Sequence, residues 1–219
     1  MTALRADDHR NHSDTLRLRS GRRLTLRFVE PGDADGLQAY VRGLSAASRH
    51  RRFLGAANEL PAAVLEGFTH AGLDDRFSVI AIASVDGHER IVAEARYALT
   101  ADQAGIEFGL SVDDRWQGQG IGAALVTNLE CRAAALGATT LFGDTLRSND
   151  VMIALARKAG FAIAATPGDW KLVRFAKPVD ARPRDWSCTG WRPAAELRGI
   201  TAVRSRVERA ALSAETIFP

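Results

Sequence analysis

The chain has 219 residues, 46% hydrophobic and 25% charged, with a net charge of +3 and a pI near 9.2. That length suffices for one full-sized core plus extensions, and the apolar fraction is that of an ordinary globular protein, which excludes wholesale disorder. No apolar run approaches the roughly 18 residues of a membrane-spanning helix, and a mild basic excess without interleaved aromatics argues against nucleic-acid binding.

Residues 1–20 are polar and aperiodic, with acids where a secretory leader would be apolar, and are read as an arm, disordered or docked on a partner. The domain is expected over 21–177. Leu24, Leu26 and Phe28 alternate with Arg23, Thr25 and Arg27 and predict a first strand. Glu30-Pro31-Gly32 is a turn, and Asp33 or Asp35 caps a helix running to Leu44. A second helix spans Ser45 to Leu54. Its Arg49, Arg51 and Arg52 are read as a solvated face, with docking of an acidic partner or of ligand phosphates as the alternative. Pro61 opens a third helix to about Thr69. Phe77 to Ser84 is a nearly continuous apolar run, which suits a central strand covered on both faces. A turn at Asp86–Glu89 returns the chain as a strand over Ile91–Leu99.

The stretch Gly105–Gly122, GIEFGLSVDDRWQGQGIG, carries the chemical signal. Ile106, Phe108, Leu110 and Val112 alternate with Glu107, Gly109 and Ser111, a strand with one greasy row and one small or acidic row. A polar turn follows, then Gly118, Gly120 and Gly122, then a helix beginning near Ile121. Strand, glycine turn and helix N-terminus together form an anion site: free N–H groups point outward, and missing β-carbons allow a phosphate close approach. No Lys-Ser or Lys-Thr pair closes the loop, so it is not a Walker loop. Gly118, Gly120 and Ala123 satisfy a dinucleotide-binding GxGxxA, with Asp144 as the ribose-binding acid, but five polar or bulky residues separate the apolar strand from the first glycine. The plainest alternative is a tight loop under close helix–sheet packing.

The helix from Ile121 places Leu125, Leu129, Ala133 and Leu136 on one stripe, stops at Gly137, and contains Cys131 as a core filler. Thr139–Thr145 predicts a strand; Ser148 or Asn149 caps a helix ending at Gly160; Phe161–Ala165 and Trp170–Phe175 predict a closing hairpin. Residues 178–219, with Pro178, Pro183, Pro193, Trp186 and Trp191, are read as an irregular extension with short helices. Its tryptophans are expected to pack on the core or on a second subunit, which would make a homodimer. The two cysteines lack metal-ligand spacing, so no metal is expected, and a reducing cytoplasm fits.

Gln117-Gly118-Gln119-Gly120-Ile121-Gly122 resembles the Q/R-x-x-G-x-G/A loop of the GNAT superfamily of acetyl-CoA-dependent N-acetyltransferases, and Leu110–Asp113 resembles that family's fourth strand. Asn149–Phe161, NDVMIALARKAGF, resembles its second signature. The likeness covers about Leu24 to Lys177. EFGLSVDDRWQGQGIG, LARKAGF and RHRRFLG (Arg49–Gly55) are most similar to the catalytic domain of bacterial Pat-type protein lysine acetyltransferases. The resemblance implies an α/β (α+β) GNAT fold: a mixed, mostly antiparallel sheet, helices on both faces, and a splay between the fourth and fifth strands. It implies acetyl-CoA as cosubstrate. The backbone of Leu110 and Val112 would pair with the pantetheine arm, the loop Gln117, Gly118, Gln119, Gly120, Ile121, Gly122 would hold the pyrophosphate, and Asn149 would touch the CoA arm. A backbone N–H near Leu110 would polarise the thioester carbonyl. Many members protonate the leaving thiolate with a Tyr in the second signature; here the position is Ala156, a gap shared by the Pat-type domains.

Acetyl transfer to an amine needs a deprotonated nucleophile, and a free alkyl amine titrates near ~10.4, so a carboxylate base is expected. Glu107 is the first candidate, with Gly109 and Ser111 leaving space in front of it. It matches the strand Glu that acts as base in Pat-type domains. The alternative makes Glu107 a structural partner of Arg96, with Glu94 as the second candidate base. His70 and His88 are assigned no role. The acceptor is read as a protein lysine first and a small amine second, with a non-catalytic acetyl-CoA-sensing module as the remaining reading.

Overall fold

The computed structural model describes residues 13–18, 20–55, 58–70, 76–101, 104–135, 138–166 and 168–179. They fold as one sheet of eight strands: β1 (Ser13–Arg17), β2 (Arg23–Phe28), β3 (Arg76–Val85), β4 (His88–Leu99), β5 (Gly105–Val112), β6 (Thr140–Leu146), β7 (Ala162–Thr166) and β8 (Asp169–Pro178). The spatial order is β1-β2-β3-β4-β5-β6-β8-β7, and every pairing is antiparallel except β5 with β6. Five helices accompany it: α1 (Ala34–Gly43), α2 (Ala46–Phe53), α3 (Ala62–Thr69), α4 (Ile121–Ala135) and α5 (Asp150–Lys158).

Alternation along β3 sorts the two cores. Phe77, Val79, Ala81 and Ala83 join the cluster built on Ile121, Leu125 and Leu129 of α4, together with Ala156 of α5. Ile80 and Ile82 join Leu37, Tyr40 and Val41 of α1 and Phe68 of α3. Helices α1–α3 therefore cover one face of the sheet and α4–α5 the other, and β3 is buried on both sides, as its continuous apolar run predicts.

Residues 13–18 are inside the fold, which corrects the arm reading for that stretch; residues 1–12 lie outside the described residues. β1 pairs along its full length with β2, and the turn closes through Leu18 N–H to Arg22 O at 2.9 Å, with Leu18 4% exposed. An edge strand faces solvent along one side, so only Leu16 and Leu18 carry an apolar signal, too little to stand out among charged neighbours. It also shifts the count: the strand expected fourth is fifth in chain order.

The arginine trio of α2 is split rather than solvated. Arg52 is 5% exposed and paired with Glu94, while Arg51 is exposed and Arg49 donates to the carbonyls of Arg42 and Leu44. Ser45 caps α2 by accepting from Ser48 N–H, and Asp114 ties both serines down. Cys131, expected as a core filler, is only partly buried. The expectations for Leu136, Gly137, Trp186, Trp191 and Cys188 lie outside the described residues.

Candidate active site

β5 and β6 begin as a parallel ladder, Gly105 with Thr140, Ile106 with Leu141 and Glu107 with Phe142, and the ladder ends there. Asp113 N–H donates to Val92 O and Thr100 N–H to Gly105 O, so odd-numbered residues of β5 turn their backbone groups toward β4. Even-numbered residues therefore turn theirs toward β6. Past the last paired residue this edge opens into a wedge, where the backbone of Leu110 and Val112 has no strand partner among the described residues. Unpaired edge groups of this kind can take an extended ligand as an added strand. One of them is engaged already: Val112 O accepts from Gln117 Nε2 at 3.0 Å.

The loop at the mouth of the wedge follows from its glycines. Gly118 and Gly120 have φ of +73° and +92°, values that L side chains avoid, and a β-carbon on either would meet nothing within 4 Å. The loop is thus held by backbone conformation and left bare. Gly122 serves packing instead: its β-carbon would lie 3.1 Å from Leu155 Cδ2. Ile121, 1% exposed, anchors the start of α4, and the bond from Ala124 N–H to Gly120 O leaves the N–H groups of the first turn without helical acceptors. A bare loop, orphan donors and the positive end of a fifteen-residue helix fit a pyrophosphate.

Asn149 lies across the wedge at the N-terminus of α5. It is 8% exposed; Oδ1 accepts from Met152 N–H at 3.3 Å, and Nδ2 donates to Thr145 Oγ1 at 2.9 Å. Its primary role is to join α5 to β6. Ala156, 1% exposed, sits in the core.

Glu107 occupies the opposite face from α4. Register places it beside Phe142, with Asp144 next on that face of β6 and Arg174 paired to Asp144 from β8. The Glu107 carboxylate makes no hydrogen bond among the described residues. Burial raises its pKa above the ordinary carboxylate value, Asp144 raises it further, and Arg174 opposes them. Arg174 is committed to Asp144 through two contacts, at 2.6 and 3.1 Å, and stacks on Phe142 at 4.9 Å. The alternative pairing of Glu107 with Arg96 does not form. A half-buried carboxylate with a raised pKa and no tight partner is suited to accept a proton.

Glu94 is not suited to that work. It is 1% exposed, held by Arg52 at 2.6 and 3.0 Å, and accepts from Ser111 Oγ at 2.6 Å. Because Ser111 donates there, the 2.9 Å contact between Tyr40 and Ser111 has the Tyr40 hydroxyl as donor. This buried chain fixes α1 and α2 to β4 and β5 just ahead of Glu107. Sequence reasoning missed it, and also missed Asp144 and Arg174 as neighbours of Glu107. Asp144, a ribose ligand in the dinucleotide reading, has its carboxylate bound to Arg174 and Thr166. The surrounding sheet is mostly antiparallel, which removes the dinucleotide-fold reading. The one available signal was alternation: Val173 and Phe175 point inward, so Arg174 must share a face with its register partner. Among the described residues no cluster of His, Cys, Asp or Glu could hold a metal ion.

A model of the acetyltransferase (GNAT) family matches residues 51–161. An acetyltransferase of Pseudomonas aeruginosa, PA5475, is 28% identical over 152 residues, covering 69% of this chain and 82% of that protein. Among solved structures, the GNAT domain of S. lividans PAT superposes with a TM-score of 0.69 at 24% identity, over 76% of this chain and 97% of that one. RimL, a ribosomal L7/L12 α-N-protein acetyltransferase solved with coenzyme A, superposes with a TM-score of 0.58 at 16% identity, over 73% and 96%. At those identities the two structures establish the shared fold.

Proposed function

The chain belongs to the acetyltransferase (GNAT) family, and from that premise we propose that it moves an acetyl group from acetyl-CoA to a primary amine, with Glu107 as general base. The observation that carries this reading is the placement of Glu107. It sits half-buried where the β5–β6 ladder ends, on the strand whose free edge lines the wedge.

The Gln117–Gly122 loop and the first turn of α4 hold the pyrophosphate on N–H groups, as the bare glycines allow. The free edge of β5 at Leu110 and Val112 aligns the pantetheine, and an N–H there polarises the thioester carbonyl. Glu107 takes the proton of the incoming ammonium, directly or through one water. The amine nitrogen then bonds to the acyl carbon, the carbon–sulfur bond breaks, the nitrogen sheds its second proton to solvent as the amide forms, and CoA leaves as a thiolate that collects a proton from solvent. With Ala156 buried in place of a tyrosine, that position of α5 supplies no acid for the proton.

A protein lysine is the first-choice acceptor, on the resemblance to Pat-type domains and on the 78% exposure of Trp170 near the tip of the β7–β8 hairpin. A cytoplasmic setting and a homodimer belong to the same reading. The test is Glu107→Gln, followed by thiol release and by acetyl-CoA titration. Transfer should fall at least about a hundredfold with acetyl-CoA affinity kept. Unchanged turnover would remove Glu107 from the mechanism, and an inert wild type that still binds acetyl-CoA would favour a sensing module.

A further inference from the structure

Arg96 is a buried charge that acetyl transfer as proposed leaves unused. It lies on β4, register partner of Gly109 on β5 and of Ser78 on β3, on the same sheet face as Glu107. It is 4% exposed, and its Nε is sealed from solvent without a hydrogen-bond partner. The guanidinium stacks on Phe68 at 4.5 Å, and Gly67 leaves room beside Nη2, where a β-carbon would come to 3.4 Å. Gly109 opposite has no side chain to answer it.

The surrounding charge is one-sided. Arg52 and Arg76 act on Arg96 from α2 and β3, and Glu94 is the only acid among the described residues that acts on it. That carboxylate is spent on Arg52 and Ser111. Burial first, then the two arginines, push the Arg96 pKa down to about 10, so it stays a cation at neutral pH. A buried guanidinium whose Nε lacks an acceptor is costly unless something fills it, and a carboxylate matches its planar fork.

We propose that Arg96 is the receptor for a carboxylate carried by the acceptor, so that the enzyme selects amines with an acid a few bonds from the reacting nitrogen. The inference rests on the reading of Glu107 as base. Arg96 and Glu107 are diagonal neighbours across β4 and β5, about 7–8 Å apart at the backbone. A molecule whose amine reaches Glu107 can therefore present an acid to Arg96. Two sources share this chemistry: the carboxylate of a free amino acid, and an acidic side chain beside a lysine in a peptide.

The test pairs acceptors that differ only in the acid. Free lysine is compared with cadaverine, and a peptide bearing glutamate next to its lysine with the glutamine version, on wild type, Arg96→Gln and Arg96→Lys. Wild type should prefer the acid-bearing member of one pair at least about tenfold in kcat/KM, the expected size for a charge-assisted bond. The pair that shows the preference identifies the source. Arg96→Gln should collapse that ratio, and Arg96→Lys should retain part of it. Glutarate, a dicarboxylate without an amine, gives a readout free of turnover: by calorimetry it should bind wild type at least about tenfold more tightly than Arg96→Gln. Equal turnover of the two members within both pairs overturns the proposal on wild type alone, even if both variants misfold, and in folded variants Arg96-independent glutarate binding overturns it as well. Arg96-dependent glutarate binding without any amine turnover would instead overturn the acetyltransfer reading and leave the carboxylate site standing.

Discussion

The backbone carbonyl of Phe108 stands where a side chain on Gly143 would have to go: a β-carbon there would lie 2.4 Å from that oxygen and 2.5 Å from Phe175 Cζ. β6 thus presses against β5 and the ring cluster of Phe108, Phe161 and Phe175 one residue beyond the last paired position. The wedge opens from this contact, and Gly143 fixes its apex.

Gly143→Ala should therefore destabilise the fold by about 1–3 kcal/mol, the range for overpacking a closed site, and weaken acetyl-CoA binding by moving β6. Urea unfolding with a parallel titration checks both. Wild-type stability and affinity in the variant would mean that the two strands can separate freely there.

The pH profile of kcat/KM should report Glu107. Its folded pKa is raised by burial and by Asp144, so activity is lost as pH falls through a value above the ordinary carboxylate range. Asp144→Asn removes a charge that opposes ionisation and frees Arg174, so the acidic limb should move to lower pH. Arg174→Gln removes the favouring charge and leaves Asp144 uncompensated, so the limb should move up. Shifts in one shared direction would rule out Glu107 as the group observed.

The Arg52–Glu94 pair is buried at both ends, with side-chain exposures of 3% and 1%. Removing one partner should cost about 3–5 kcal/mol, since the other charge is stranded. Glu94→Gln and Arg52→Met should each show this in denaturant melts, and the double variant should recover much of the loss. Additive losses would mean that the two side chains act independently.

Gly120→Glu puts a side chain at φ +92° and a negative charge into the anion loop. Calorimetric titration should find acetyl-CoA binding abolished in the folded variant and no NADH binding in either protein. Retained acetyl-CoA affinity would move the pyrophosphate elsewhere.

Most of the sheet was legible in the chain because each strand announces itself through local alternation or an apolar run, and the glycine loop through spacing. Phe77–Ser84 and Gly105–Val112 are elements whose own side chains state which face is buried. β1 was not legible, because an edge strand buries one face only. Glu107 stands out as a candidate through a resemblance and through the small residues after it, Gly109 and Ser111. Its real neighbours, Asp144 and Arg174, lie 37 and 67 positions further on and meet it only because β6 and β8 pair in one register. The same holds for Arg52, legible as a surface charge on α2 and buried only once α2 lies over Glu94. Local pattern decides which residues can be strand, loop or helix, because neighbours along the chain set the backbone and the buried face. Which charges meet, and which stays without a partner, was decided by strand order and helix placement, because electrostatic neighbours are set by distance in space and by the water excluded between them.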